Sequence, residues 1–201
     1  MSWCIPPLSA TLLAMHAPDG LFSLSVNIVF AVVVLGLLVA ACARLSRRRD
    51  HRLIPLMGIL AAFVFAGQMV NFPIASGTTG HLLGGTLVAI LAGPWAGTVV
   101  MAAVIAFQAL LGDGGLTAAG PNIFNMGVVG TCLAYFIYRV FVGAAVHRPT
   151  RVVAASFFAA WVSVPLASVF ACLQLAVSGT ASFSRVLPAM VHVSAHVPDT
   201  H

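Results

Sequence analysis

The sequence contains no lysine and no glutamate, and charged residues of any kind make up only 6% of its 201 positions. Without lysine there is no Gly-x-x-x-x-Gly-Lys-Ser/Thr phosphate loop, so the chain carries no ATPase of that kind itself. Soluble domains hold ~25% charged and ~45–50% apolar residues, whereas 61% of this chain is hydrophobic. No soluble domain fits. The formal charge of +5 comes from nine arginines, clustered in loops rather than spread over a basic face, which excludes a nucleic-acid partner. No CxxC or metal-finger spacing links Cys4, Cys42, Cys132 and Cys172, and the three in apolar runs read as packing residues. Residues 1–14 lack the basic start of a signal peptide and contain Pro6 and Pro7.

What the chain does have is long apolar stretches. A mean hydropathy of +1.07, at ~20 apolar residues per crossing, predicts an all-α polytopic membrane helix bundle with about six transmembrane helices. The bundle occupies residues 15–187, between an N-terminal extension at 1–14 and an atypical tail at 188–201. Residues 24–43 form the first run and end at five arginines between Arg44 and Arg52. Arginine-rich loops face the cytoplasm, which puts residues 15–20 outside. Residues 53–72 lead back out and stop at Asn71-Phe72-Pro73.

A second basic cluster, Arg139, His147, Arg148 and Arg151, marks another cytoplasmic loop, so the crossings between the two clusters must be even in number. Residues 53–72 and 122–138 supply two. The stretch 82–112 must then supply two more, with its one break, Gly93-Pro94, as a turn near the cytoplasmic face. Each half is short for a hydrocarbon core of ~30 Å, which calls for thinning, burial behind neighbours or a start before His81. Residues 122–142 return inward and 152–178 go out again. The expected location is the bacterial cytoplasmic (inner) membrane with the N-terminus outside.

This topology brings two histidines to the outer face: His16 in Met15-His16-Ala17-Pro18-Asp19-Gly20, and His81 in Gly77-Thr78-Thr79-Gly80-His81-Leu82-Leu83, 65 positions later. Neutral imidazole suits transition metals, and Ni(II) and Cu(II) favour planar nitrogen sets. Two imidazoles alone leave a site short of donors, and isolated histidines near an interface need no ligand at all. If the working chain begins at Met15, its amine, the His16 amide nitrogen and the His16 imidazole can wrap one ion in fused chelate rings. His81 then closes a four-nitrogen plane. Asp113, between glycines, reads as a turn residue. Gln68, Gln108, Asn122 and Asn125 read mainly as interhelical hydrogen-bond residues, a minority of them orienting a metal loop. Gly36 and Ala40 have the spacing of a close-packing seam.

Three groups of residues together resemble the CbiM/NikM family. They are Met15-His16-Ala17-Pro18-Asp19-Gly20-Leu21; Asn71-Phe72-Pro73-Ile74-Ala75-Ser76-Gly77-Thr78-Thr79-Gly80-His81-Leu82-Leu83-Gly84-Gly85; and Gln108 to Thr117 with Asn122-Ile123-Phe124-Asn125-Met126-Gly127. Members of that family are the substrate-binding membrane components of energy-coupling factor (ECF) transporters for cobalt and nickel. The resemblance implies metal ligands at Met15, His16 and His81 in a glycine-rich metal loop on the outer face. It implies Co2+ or Ni2+ as transported substrate, with no permanent cofactor and no catalytic residue. It also implies a transmembrane coupling protein, ATP-binding cassette ATPase subunits and often a small auxiliary membrane protein as partners, beside membrane lipid. The fourteen residues ahead of Met15 depart from the family pattern, because with them Met15 has no free amine. The family continues through a further helix, of which Met190-Val191-His192 begins the pattern before the sequence stops at His201, so the expectation is a shortened final helix.

Two other classes of function use the same features. An intramembrane metal-dependent enzyme would need a nucleophile or general base at the depth of the metal, and no HExxH pairing is present. A non-transporting structural membrane subunit would leave both histidines dispensable.

Overall fold

A computed structural model describes residues 16–48, 50–70, 72–75, 78–143 and 148–179, and of residues 72–75 and 78–79 the backbone only. The expected extension at 1–14, Met15, Gly77, His147 and the tail at 188–201 lie outside the described residues. Among those described, six helices follow in chain order: α1 (Leu24–Ser46), α2 (Leu53–Met69), α3 (Gly85–Ala92), α4 (Pro94–Leu110), α5 (Ala119–Val142) and α6 (Pro149–Ser178). Between α2 and α3 lies one antiparallel hairpin, β1 (Phe72–Ala75) with β2 (Thr78–Gly80), paired Phe72 to Gly80 and Pro73 to Thr79. The all-helical membrane bundle stands, with this small hairpin added to it.

Local chemistry sets the helix ends. The Ser23 side chain caps α1 by accepting the Val26 N–H. Pro94 and Pro149 open α4 and α6, where a missing N–H is tolerated. In the middle of α5, residues Ile123–Leu133 wind as a π-helix before α-geometry resumes at Ala134. Three helices, α1, α5 and α6, are long and apolar enough to cross a membrane. The 17 residues of α2 and of α4 reach about 25 Å, the short end of a crossing. Leu24, Ile28, Val32 and Leu35 of α1 and Phe157 and Trp161 of α6 stand exposed, as they do when the surrounding solvent is lipid. Gly36 is among the outward positions, with nothing of the described chain within 4 Å of its side-chain position.

Helix α4 is the centre of the bundle. Val100, Met101, Val104 and Ile105 are all at most 4% exposed, and α4 packs on α1, α2, α3 and the π segment of α5. The bundle has two distinct ends. At one, His16, His81 and Asp113 approach each other. At the other, the Arg44 guanidinium sits 4.0 Å from the centre of the Trp95 ring, and Arg48 and Arg52 border Leu91 and Ala92. The stretch 82–112 therefore starts and finishes at the histidine end and turns at Gly93-Pro94 beside the arginines, as the even crossing number requires.

Its first leg is not a full helix. The eight residues of α3 cover only about 12 Å, and residues 81–84, outside any helix or strand, complete the passage. Leu82 packs on Gly67, Leu83 offers its carbonyl to Gln68 Nε2 at 2.9 Å, and Gly84 lies at the level of Val64. Non-helical backbone at membrane depth is tolerated only where protein satisfies it, and Gln68 does so here. Gly84 has φ +79, and a Cβ there would stand 2.7 Å from Val64 Cγ1. Gly84→Ala should therefore destabilise the protein by about 1–3 kcal/mol, read as a lower thermal midpoint in detergent. Adding Val64→Ala should recover part of the loss; no recovery would place the strain elsewhere.

Candidate metal site

The site is assembled from three segments without regular structure: residues 16–22 ahead of α1, 81–84 ahead of α3, and 111–118 between α4 and α5. His16 is 5% exposed, and its ring centre lies 5.9 Å from that of His81, the planes tilted by 44°. With a metal–nitrogen bond of ~2.1 Å and a ring radius of ~1.1 Å, two imidazoles on one ion have centres at most ~6.4 Å apart. The pair can share an ion. His81 Nδ1 is 2.9 Å from the Leu82 carbonyl oxygen; a carbonyl only accepts, so Nδ1 carries the proton and Nε2 keeps its lone pair. Both ring nitrogens of His16 are buried and, among the described residues, no hydrogen bond of normal geometry reaches them, Asp113 approaching Nδ1 only to 4.0 Å. A buried polar group in that condition calls for an explanation, and an ion supplies one.

No group of three or more His, Cys, Asp or Glu among the described residues forms a metal cage. An ion held by His16 and His81 would need further donors. Met15, the third residue the sequence points to, lies outside the described residues.

A dense set of contacts holds the His16 segment in place. Asn122 reads both faces of the Ala17 peptide, its Oδ1 accepting the Ala17 N–H at 3.2 Å and its Nδ2 donating to the Ala17 carbonyl at 3.1 Å. Asp19 Oδ1 accepts the Thr117 N–H at 2.7 Å and the Thr117 hydroxyl. The Gly115 N–H reaches the Ala17 carbonyl at 3.0 Å. Only glycine allows this approach: a Cβ on Gly114, at φ +113, would stand 2.7 Å from His16 Cβ, and one on Gly115 would stand 2.4 Å from the Asp19 nitrogen. The C-terminal cap of α4, where the Asp113 N–H returns to the Gln108 carbonyl at 2.9 Å, aims Asp113 Oδ2 to 4.0 Å from His16 Nδ1. Asp113 is thus a neighbour of His16 as well as a turn residue. Of the amides Gln68, Gln108, Asn122 and Asn125, Asn122 fixes the His16 segment and Gln68 the His81 segment, while Asn125 pairs reciprocally with Gln174 at 2.8 and 3.0 Å. Gln108 is fully buried. Asp113, Thr117 and the glycines announce only a turn in the sequence.

Burial pushes the His16 imidazole below its ordinary 6.5; the Asp113 carboxylate pulls it up, and His81 adds to the depression. The ring is neutral at physiological pH, the form that binds metal. The Thr117 hydroxyl, then its N–H, holds the exposed Asp19 carboxyl below the usual carboxylate range. Because the folded value is depressed, the Asp19 contact contributes fully above the unfolded pKa and is lost only as pH falls through the lower folded one.

With this geometry in view, comparison with known proteins gives a consistent answer. Residues 16–198 match the family model described as the cobalt uptake substrate-specific transmembrane region, CbiM. The chain belongs to the CbiM family. A protein of Archaeoglobus fulgidus that carries the provisional name fused nickel transport protein NikMN is 41% identical over 165 residues, 82% of this chain and 53% of that protein. This CbiM-family chain thus spans about half the length of that relative. The cobalt transport protein CbiM of Acetoanaerobium sticklandii is 31% identical over 168 residues, 82% of this chain and 67% of its own. A crystal structure described as a transition metal transporter superimposes with a TM-score of 0.79 at 29% identity, covering 91% of this chain and 85% of the other. A truncated transition metal transporter matches with a TM-score of 0.77 at 30% identity, over 88% and 87% of the two chains. The membrane bundle and its family are therefore established together.

Two outcomes follow for the CbiM-family site. In imidazole NMR titration of the metal-free chain, His16 should titrate below 6.5, and Asp113→Asn should lower its midpoint further by removing the one carboxylate that raises it. A rise on Asp113→Asn would contradict the geometry. Asn122→Leu strips two hydrogen bonds from the Ala17 peptide, each worth ~1 kcal/mol net, so amide exchange at Ala17 should accelerate while exchange within α4 stays unchanged.

Proposed function

We propose that this chain is the substrate-binding membrane component of an ECF-type importer that takes up cobalt or nickel ions for cobalamin biosynthesis or nickel enzymes. The observation that carries the reading is the approach of His16 and His81, from distant parts of the sequence, to 5.9 Å between ring centres. The ligands in this reading are the Met15 amine, the His16 amide nitrogen and imidazole, and His81 Nε2, a set that is complete only in a chain that begins at Met15. The histidine end faces outside and the arginine end the cytoplasm of the bacterial inner membrane. Asn122, Asp19 and Thr117 hold the His16 segment in the geometry that an ion needs, and Gln68 holds that of His81.

Energy comes from partners, since the chain has no lysine for a phosphate loop. They are a transmembrane coupling protein and ATP-binding cassette subunits, with a small auxiliary membrane protein in some assemblies. ATP-driven movement of the whole component carries the bound ion inward. The names of the cobalt and nickel transport relatives support an uptake role, as does the absence of paired acid and histidine on one helix for an enzyme.

The experiment is calorimetric titration of Ni2+ and Co2+ into purified protein starting at Met15 or at Met1, each with and without His81→Ala. The Met15 form should bind tightly, and both the retained extension and His81→Ala should weaken binding by more than about tenfold, the loss seen even for outer partners of metal ligands. Equal, tight binding by all four would overturn the assignment. Binding displaces protons from amine and amide, so affinity should fall on acidification. The depressed His16 makes the amine, ordinarily near ~7.7–8.0, lose its metal-competent form first.

A further inference from the structure

At the arginine end, remote from the histidines, a cleft of about 210 Å³ opens between the α1–α2 connection and the end of α3. Arg48, Asp50 and Arg52 line its polar side, and Leu53, Leu56 and Leu91 its apolar side. Asp50 is the only carboxylate between Asp19 and Asp113, against five arginines from Arg44 to Arg52. Its Oδ1 is already engaged by the Arg52 N–H at 3.0 Å. The cleft therefore holds surplus positive charge. Its apolar wall runs on to the lipid-facing surface, where Leu91 is 56% exposed and Ile54, next to Leu53, 74% exposed. Contact of Arg44 with Trp95 ties the end of α1 to the start of α4 and fixes the frame around it.

These are two chemistries in one place. Guanidinium forks match phosphate oxygens, and basic pockets between transmembrane helices take anionic headgroups. The leucines match acyl chains, whereas a free phosphate ion would leave them without a role. A second cleft of about 330 Å³, lined by Phe141, Arg151 and Phe158, offers one guanidinium and so lacks a two-point grip. We infer that the Arg48–Arg52 cleft holds an anionic phospholipid, its phosphate between the two guanidiniums and its acyl chains along Leu56 and Leu91.

Replacing Trp3 and Trp161 by phenylalanine leaves Trp95 as the sole tryptophan, three residues beyond Ala92 of the cleft. The full chain is reconstituted in phosphatidylcholine vesicles containing a small fraction of acyl-brominated phosphatidylglycerol or, separately, acyl-brominated phosphatidylcholine, and Trp95 quenching is titrated. Phosphatidylglycerol should quench at lower mole fraction, and Arg48→Gln or Arg52→Gln should each weaken that preference about fivefold. Leu91→Ala should weaken it without any change of charge, and Arg148→Gln, at the other basic loop, should leave it intact. Unchanged helical circular dichroism and a single elution peak qualify each variant. Equal quenching by the two lipids would overturn the inference, as would survival of the preference in the Arg48→Gln/Arg52→Gln pair or equal loss in Arg148→Gln. Displacement by inorganic phosphate with Leu91→Ala silent would assign the cleft to the free ion and overturn it too.

Discussion

The paired hydrogen bonds between the Asn122 amide and the Ala17 peptide are the contact on which the histidine end depends. Residues 16–22 have no helix or strand to hold them, so their backbone groups need partners from elsewhere. Asn122, at the junction where α5 passes into its π-helical stretch, supplies one donor and one acceptor to a single peptide. Asp19 and Thr117 fix the same segment two residues further on, and Gly114 and Gly115 let the two loops meet without an intervening side chain. His16 is buried as a result, and burial keeps its ring neutral. A neutral, buried imidazole beside a second one is an arrangement that can share a metal ion.

The other half of the site obeys a membrane constraint. His81 starts a leg that crosses the bundle as non-helical chain and then as a short helix: the Leu83 carbonyl finds its partner in Gln68 of α2, and the Gly84 carbonyl accepts the Val88 N–H of α3. Broken crossings of this kind expose backbone and side-chain groups at one end of a bundle while the rest stays packed, which is how short, glycine-interrupted segments come to carry binding sites. Central α4 provides the rigid core against which both loops are set.

Much of this was legible in the chain itself. Apolar runs marked the crossings, arginine placement separated the two ends, and even parity demanded the turn at Gly93-Pro94 that Trp95 and Arg44 flank. Arginine placement alone puts His16 and His81 at one end of the bundle, where their rings meet. The π-helix over Ile123–Leu133 was not legible, because a stretch apolar on every side shows no period from which to tell its winding. Nor was the approach of Asp113 to His16: Gly112-Asp113-Gly114-Gly115 announces a turn, while the contact that matters joins two loops far apart in the sequence. Asn122 carried the same ambiguity, since an amide in a helix has the same appearance whether it joins two helices or holds a loop.

The central claim is that His16 and His81 bind the same ion together with backbone nitrogen. X-ray absorption at the nickel edge, on Ni2+-loaded protein beginning at Met15, tests it directly. The account predicts a planar, four-coordinate nitrogen shell with the scattering of two imidazoles. A six-coordinate, oxygen-rich shell, or a shell with one imidazole, would contradict it.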